Sequence, residues 1–173
     1  MKDGSLTVRR ATADDAAVLC SWWNDGAIME HAGFPQGLGT TEERIREQIA
    51  SESEDTICRY IIEYDGTPIG ETHRRYVSEG VCEIGIKICV PEMQEIGLGK
   101  RILSLLIGEI FGNLGYKRIN VDTNPENTRA RHVYERLGFV LTEFKKDCWR
   151  DQTGRLRSAV CYALTPERFV SFI

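Results

Sequence analysis

One stretch constrains this chain more than any other: Gln-Glu-Ile-Gly-Leu-Gly-Lys-Arg at residues 94–101. Before it, apolar residues alternate over positions 82–90, the period of a half-buried strand. After it, apolar residues recur at helical spacing over positions 102–111. The two glycines let backbone amides approach a ligand closely, and those amides belong to the positive end of the helix. The sequence therefore predicts an anion site, most naturally for phosphate, at a strand-to-helix turn.

Two common nucleotide-binding loops do not fit this stretch. A P-loop has glycine where Gln94 stands and Ser or Thr where Arg101 stands. A dinucleotide fingerprint has a third glycine, and Ile102 occupies that place. The pattern that is left, Gln-x-x-Gly-x-Gly, is equally compatible with an ordinary strand-to-helix turn.

A second segment, residues 122–139, adds specificity to the first. Together the two segments resemble the GCN5-related N-acetyltransferase (GNAT) superfamily, whose loop reads Gln/Arg-x-x-Gly-x-Gly/Ala and whose following segment reads Asn-x-x-Ala-x-x-x-Tyr-x-x-x-Gly-Phe. The places of the second pattern are matched here by Asn127, Ala130, Tyr134, Gly138 and Phe139. The resemblance is clear over residues 69–139, and its motifs are nearest to those of ribosomal-protein alanine acetyltransferases and aminoglycoside 6′-N-acetyltransferases.

The resemblance implies an α/β (α+β) fold with a mixed, mostly antiparallel sheet of about seven strands flanked by helices. The residue pattern agrees, since strands predicted at 58–64, 67–77 and 82–90 form a meander that leads into the loop. Thr40 and Glu43 fit a capping box at the start of a helix. Without a repeat or linker, residues 1–173 are predicted to be a single GNAT domain.

The resemblance also implies that acetyl-CoA is the co-substrate. Its pyrophosphate would lie on the loop, formed by Gln94, Glu95, Ile96, Gly97, Leu98, Gly99 and Lys100. Ile88 and Val90 would offer strand edges to the pantetheine arm, and Asn127 would hydrogen-bond the cofactor. Positive charges at Lys100 and Arg101 oppose the helix dipole, so they fit better beside phosphate than on a plain surface.

Acetyl transfer from a thioester to an amine requires proton handling rather than an enzyme nucleophile. By resemblance, Tyr134 faces the cofactor sulfur; a phenol with a pKa of about 10 can protonate a thiolate with a pKa of about 8.5 only modestly uphill. The base is open between Asp122, Glu83 and a water chain. By resemblance, Asp122 could instead face a cationic substrate; the remaining alternative is that it only caps a turn.

Residues 25–39 hold four glycines and a proline, and by resemblance this segment borders the acceptor pocket. His31 and Phe34 of this segment are therefore candidate substrate-binding residues. Trp22, one of two adjacent tryptophans on the preceding helix, and Asp122 are further candidates. The acceptor is expected to be a primary amine on a protein N-terminus, a polyamine-like metabolite or an aminoglycoside. The alternative is a non-catalytic acyl-CoA-binding sensor of the same fold.

Composition restricts the partners. A net charge of −4 gives no support to nucleic-acid binding and mildly suits a cationic substrate. No run approaches the about 20 apolar residues that span a bilayer, and no apolar leader is present, so we expect a cytoplasmic protein without membrane contact. The six cysteines lack C-x-x-C spacing and are expected to be free thiols, with no metal. The sequence leaves the oligomeric state open, a homodimer included.

Overall fold

The computed structural model describes residues 1–173 and contains one eight-stranded sheet. The strands are β1 (Lys2–Asp3), β2 (Leu6–Arg10), β3 (Ile57–Tyr64), β4 (Thr67–Ser78), β5 (Val81–Ile88), β6 (Arg118–Thr123), β7 (Val140–Arg150) and β8 (Leu156–Leu164). The helices are α1 (Ala16–Trp23), α2 (Gly26–Met29), α3 (Glu42–Ser51), α4 (Leu98–Gly112) and α5 (Thr128–Arg136). None of these helices is both long and apolar enough to cross a membrane.

The strand order is β1-β2-β3-β4-β5-β6-β8-β7, and only the β5–β6 pair is parallel. The prediction of a mixed, mostly antiparallel sheet is confirmed; the eighth strand is the two-residue β1, too short to show a period in the sequence. The β5–β6 pairing runs only from Val81 and Arg118 to Glu83 and Asn120. Beyond that register the two strands separate, and the gap between them opens a cleft.

Two apolar clusters cover the two faces of the sheet. The apolar stripe of α4 packs into the larger cluster, together with Ile62 of β3. Helices α1 and α3 pack into the smaller cluster, together with Ile61. Because successive strand residues point to opposite faces, Ile61 and Ile62 assign the two clusters to opposite sides of the sheet.

The segment 25–39 and the start of α3 differ from the sequence prediction. The segment is not irregular throughout, since it contains α2, which Asp25 caps by accepting a hydrogen bond from the Ala27 amide at 2.8 Å, and a 3-10 turn at Glu30–Ala32. The N-cap of α3 is Thr41 rather than Thr40. Thr40 is unavailable because the Asn24 side chain bonds to both its amide and its carbonyl, at 2.9 and 3.0 Å.

Candidate active site

A cleft of about 910 Å³ lies where β5 and β6 separate. Its loop end is formed by residues from the stretch 94–100, and its sheet end by residues of β4, β5 and β6 with part of the segment 25–39. The volume is in the range of small-molecule sites, which measure about 300–1,000 Å³.

The backbone of the loop end is built to receive an anion. Gly97 caps α4 with a φ of +86°, a conformation that glycine adopts without steric cost, and a Cβ there would meet no atom within 4 Å. From Glu95 to Lys100, six consecutive backbone amides donate no hydrogen bond within the chain. Because they precede a 15-residue helix, these free donors lie at its positive end. The loop end therefore has the properties of a phosphate site.

The side chains of the predicted loop residues fall into two groups, those that line the cleft and those that point away from it. Gln94, Glu95, Gly97, Gly99 and Lys100 line the cleft. Ile96 is instead 60% exposed, and Leu98 is buried in the larger core cluster. Since these two side chains point elsewhere, their part in the loop end is limited to the backbone.

Side chains around the loop hold its shape. Gln94 donates to the Ile88 carbonyl through Nε2 at 2.9 Å and accepts from Arg129 through Oε1 at 3.0 Å. Arg101 turns away from the cleft and bonds Asp3, with 2.8 Å between Nε and Oδ2, so the expectation that it lies beside phosphate is not met. Lys100 lines the cleft, with Nζ 4.7 Å from the centre of the Phe172 ring.

The other predicted cofactor residues lie on both sides of the cleft. Asn127 lines it and caps α5, where its Oδ1 accepts from the Ala130 amide at 3.2 Å; its Nδ2 group is left free to donate. Ile88 also lines the cleft, on a strand edge that β6 no longer pairs. Val90 is not among the lining residues, and its amide donates to the Ile69 carbonyl at 3.2 Å.

Tyr134 lines the cleft although the residue is only 4% exposed. Its ring packs against Phe139 and Tyr162, with centroid distances of 5.6 and 5.9 Å. Burial raises the pKa of the phenol above its usual value, and the charge of Asp122 adds to the effect. The hydroxyl is therefore protonated at neutral pH, as a proton donor must be.

The two candidate bases differ in their surroundings. Asp122 lines the cleft and has no ion-pair partner. Glu83, in contrast, forms an ion pair with Arg75 across the β4–β5 pair and is not among the lining residues. The structure thus brings Asp122, but not Glu83, together with Tyr134.

The predicted substrate-binding residues are also separated. His31 lines the sheet end, where its carbonyl accepts from Asn124 at 3.0 Å. Trp22 is instead 7% exposed in the smaller core cluster, and Phe34 packs against the same cluster. Trp22 does not line the cleft, because both tryptophans of α1 pack towards the sheet.

Comparison with known proteins identifies the family. Residues 5–140, well over half of the chain, match the sequence model described as the acetyltransferase (GNAT) domain. The chain belongs to the GNAT family. It is an N-acetyltransferase, and the resemblance seen in the sequence motifs is confirmed. A similar protein is the aminoglycoside N(6′)-acetyltransferase type 1 of Klebsiella pneumoniae, 27% identical over 149 residues that cover 78% of this chain and 74% of that protein.

Solved structures share the fold. The spermidine N-acetyltransferase of Vibrio cholerae in complex with CoA and spermine superposes with a TM-score of 0.85 at 19% identity, over 96% of this chain and 98% of that one. The ribosomal L7/L12 alpha-N-protein acetyltransferase in complex with coenzyme A gives a TM-score of 0.83 at 17% identity, over 94% and 95%. The GNAT fold predicted from the sequence is therefore confirmed.

The sheet end of this GNAT cleft contains residues that the sequence did not single out. Glu71 is 4% exposed and accepts hydrogen bonds from Trp23 Nε1 at 2.7 Å and Lys87 Nζ at 2.9 Å. Burial alone would raise the pKa of its carboxyl, but Lys87 and Trp23 outweigh burial and lower it. His73 and Trp149 line the same end. The alternation of Glu71 and His73 on a predicted strand was the one visible signal that both share a face.

No three His, Cys, Asp or Glu side chains of the chain are grouped to hold a metal ion, and all six cysteines are free.

Proposed function

We propose that this GNAT enzyme transfers an acetyl group from acetyl-CoA to a primary amine by direct attack within a ternary complex. The observation that carries this proposal is the run of six free amides at the start of α4, which opens into the same cleft as Tyr134 and Asp122. A bound anion at one end and a proton donor and a carboxylate further along are the parts that this reaction requires.

The residues present fit acetyl-CoA, which would supply the thioester. The amides of the loop end would hold the diphosphate, helped by the charge of Lys100. The edge of β5 from Gly85 to Ile88, unpaired on the side of β6, would accept an extended chain by strand-like hydrogen bonds. Asn127 would donate through its free Nδ2 group.

The chain's own groups would then handle the protons. The Tyr134 phenol would protonate the departing thiolate; its raised pKa keeps it protonated but makes the transfer costlier than from a free phenol. Asp122, without an ion-pair partner, would attract the cationic amine and serve as the base directly or through water. Glu83 is the weaker candidate for the base because its carboxylate already forms an ion pair with Arg75.

The acceptor class is supported by charge. Asp122 is the carboxylate of the sheet end that no ion pair neutralises, whereas Glu71 is paired with Lys87 at 2.9 Å. A cationic primary amine is therefore the favoured acceptor. Aminoglycosides, polyamine-like metabolites and protein N-termini all carry one, and the names of the related proteins cover all three classes.

The test combines calorimetry with turnover. We expect coenzyme A to bind with measurable heat, and thiol release from acetyl-CoA to accelerate with at least one of an aminoglycoside, spermidine and a peptide with a free N-terminus. Binding without turnover of any amine would favour the non-catalytic sensor. The absence of any coenzyme A binding would overturn both readings of the cleft.

A further inference from the structure

His73 lies in the middle of the sheet end, between two strands with very different side chains. On β4 it is paired with Arg59 of β3 on one side and with Gly85 of β5 on the other. A Cβ added at Gly85 would lie 2.4 Å from Cε1 of His73 and 3.1 Å from each ring nitrogen. The imidazole therefore lies directly over Gly85, in space that exists only because position 85 has no side chain.

The space beyond Gly85 leads to Asp122. The β5–β6 pairing ends at Glu83 and Asn120, and Gly85 and Asp122 each follow two residues later, on the same face of the sheet. His73 and Asp122 both line the cleft. An imidazole that reaches across Gly85 and a carboxylate on the diverging strand thus border the gap in which an acceptor would meet the thioester.

The polar groups around His73 are already engaged with one another. Arg59 bonds Glu52 at 2.8 Å and its guanidinium lies 4.6 Å from the centre of the Trp23 ring. Glu71 is bonded to Trp23 and Lys87. Neither nitrogen of His73 bonds to another residue, and neither is sealed from the cleft. The hydrogen-bonding capacity of this ring is thus available to a ligand.

The charge state of His73 follows from its neighbours. Burial lowers the pKa of the imidazole to about 4; the charge of Glu71 opposes this shift, and the positive charges of Lys87, Arg59 and Arg75 add to it. At neutral pH the ring is uncharged, with one nitrogen that donates and one that accepts. It does not repel a cationic amine, and its lone pair can accept a hydrogen bond from one.

We propose that His73 is a further substrate-contacting residue, whose neutral imidazole accepts a hydrogen bond from the acceptor nitrogen and orients it towards the thioester, across Gly85 from Asp122. This inference rests on the proposed function. His73 is assigned to orient the amine and not to deprotonate it, because Asp122, the carboxylate of the sheet end that no ion pair neutralises, already has the role of base in the proposed function.

The first experiment compares His73→Phe, which keeps a ring but has no acceptor, with His73→Gln, which keeps an acceptor oxygen. Steady-state kinetics use saturating acetyl-CoA and whichever of an aminoglycoside, spermidine and a peptide N-terminus the wild type acetylates fastest. We expect His73→Phe to lower kcat/KM for the amine about tenfold or more, with an unchanged KM for acetyl-CoA, and His73→Gln to recover most of the loss. Equal rates in all three proteins would overturn the inference.

A second variant moves the ring without changing it. Gly85→Ala would displace the imidazole, so we expect a loss like that of His73→Phe in the wild type and little effect in a His73→Ala background, where the space is empty. Thermal unfolding of each variant checks that the fold is kept. An equal loss from Gly85→Ala in both backgrounds would show that the ring is not what matters at this place.

The pH profile separates orientation from base catalysis. We expect kcat/KM of the wild type and of His73→Phe to vary in parallel between pH 6 and 9, because His73 does not titrate there. An acid limb that is present in the wild type and absent in the variant would make His73 the base and overturn the orienting role. If the wild type acetylates an amine and the His73 variants do so equally well, this inference alone is overturned. If the wild type acetylates none of the amines, the proposed function is overturned as well.

Discussion

At the scale of single residues, the role of Tyr134 as proton donor can be tested by removing one atom, its hydroxyl oxygen. Its hydroxyl faces the cleft, while the ring is fixed by Phe139 and Tyr162. We predict that Tyr134→Phe retains coenzyme A binding but lowers kcat about 100-fold, because a proton donor to the leaving thiolate is lost. Calorimetry measures the binding, and thiol release at saturating substrates measures kcat.

Tyr162→Phe is the matched control, because it removes a hydroxyl from the adjacent ring. That hydroxyl bonds Glu135 and Arg131, both at 3.2 Å, outside the cleft. The control should lose about 1 kcal/mol of stability and keep its turnover. Unchanged turnover in Tyr134→Phe would remove the phenol from the reaction.

Some residues of the cleft could be predicted from the sequence, and others could not. Tyr134 and Asn127 could be assigned to the cleft because a motif fixes their spacing. Trp22 could not, since a helical period indicates only that the two tryptophans point about 100° apart, and the packing of α1 buries both. His73 was missed because the space it occupies depends on Gly85, a residue of another strand.

At the scale of elements, the segment 25–39 is held over the sheet end by the turn between β7 and β8. Gln152 donates from its amide to the Gly33 carbonyl at 2.8 Å, accepts from the Gln36 amide at 3.0 Å, and donates from Nε2 to the Gly37 carbonyl at 3.0 Å. The Trp149 ring packs against Gly33. Gln152 itself does not line the cleft, so we expect it to influence substrate binding only through the segment 25–39.

We predict that Gln152→Ala, which loses both side-chain bonds, raises the KM of the amine about tenfold, equivalent to about 1.4 kcal/mol. The KM of acetyl-CoA should stay constant, because Gln94 holds the loop end separately through the Ile88 carbonyl. Faster hydrogen exchange of the amides in 25–39 should accompany the change. Gln48→Ala, on the exposed side of α3, is the control. A rise in both KM values, or unaltered exchange, would contradict this account.

The elements themselves were largely predictable, whereas their junctions were not. Alternation predicted β3, β4 and β5, and the glycine-containing turn was correctly predicted to lead from β5 into α4. The hydrogen bonds between Gln152 and the segment 25–39 join residues more than 110 positions apart, so no local sequence pattern predicts them. The end of the β5–β6 pairing at Glu83, which opens the cleft, likewise depends on how two distant strands diverge.

At the scale of the whole molecule, the neutral His73 links the cleft to the pH dependence of folding. In the unfolded chain a histidine has a pKa of about 6.5, whereas in the folded chain that of His73 is about 4. Between these values the unfolded state binds more protons, so the free energy of unfolding falls as the pH falls. The carboxylates with lowered pKa values, such as Asp15 beside Arg9, lose their stabilisation only at lower pH.

We predict that the free energy of unfolding decreases by about 2 kcal/mol more in the wild type than in His73→Asn when the pH is lowered from 7 to 5, as measured by urea titration. The variant escapes the decrease because its amide does not take up a proton in the unfolded chain. His132→Asn, at an exposed position of α5, is the matched control and should behave as the wild type. Parallel decreases in wild type and His73→Asn would mean that His73 is protonated as easily in the folded chain as in the unfolded one. The parallel pH profiles of activity expected for the wild type and His73→Phe rest on the same low pKa, so they would then no longer be expected.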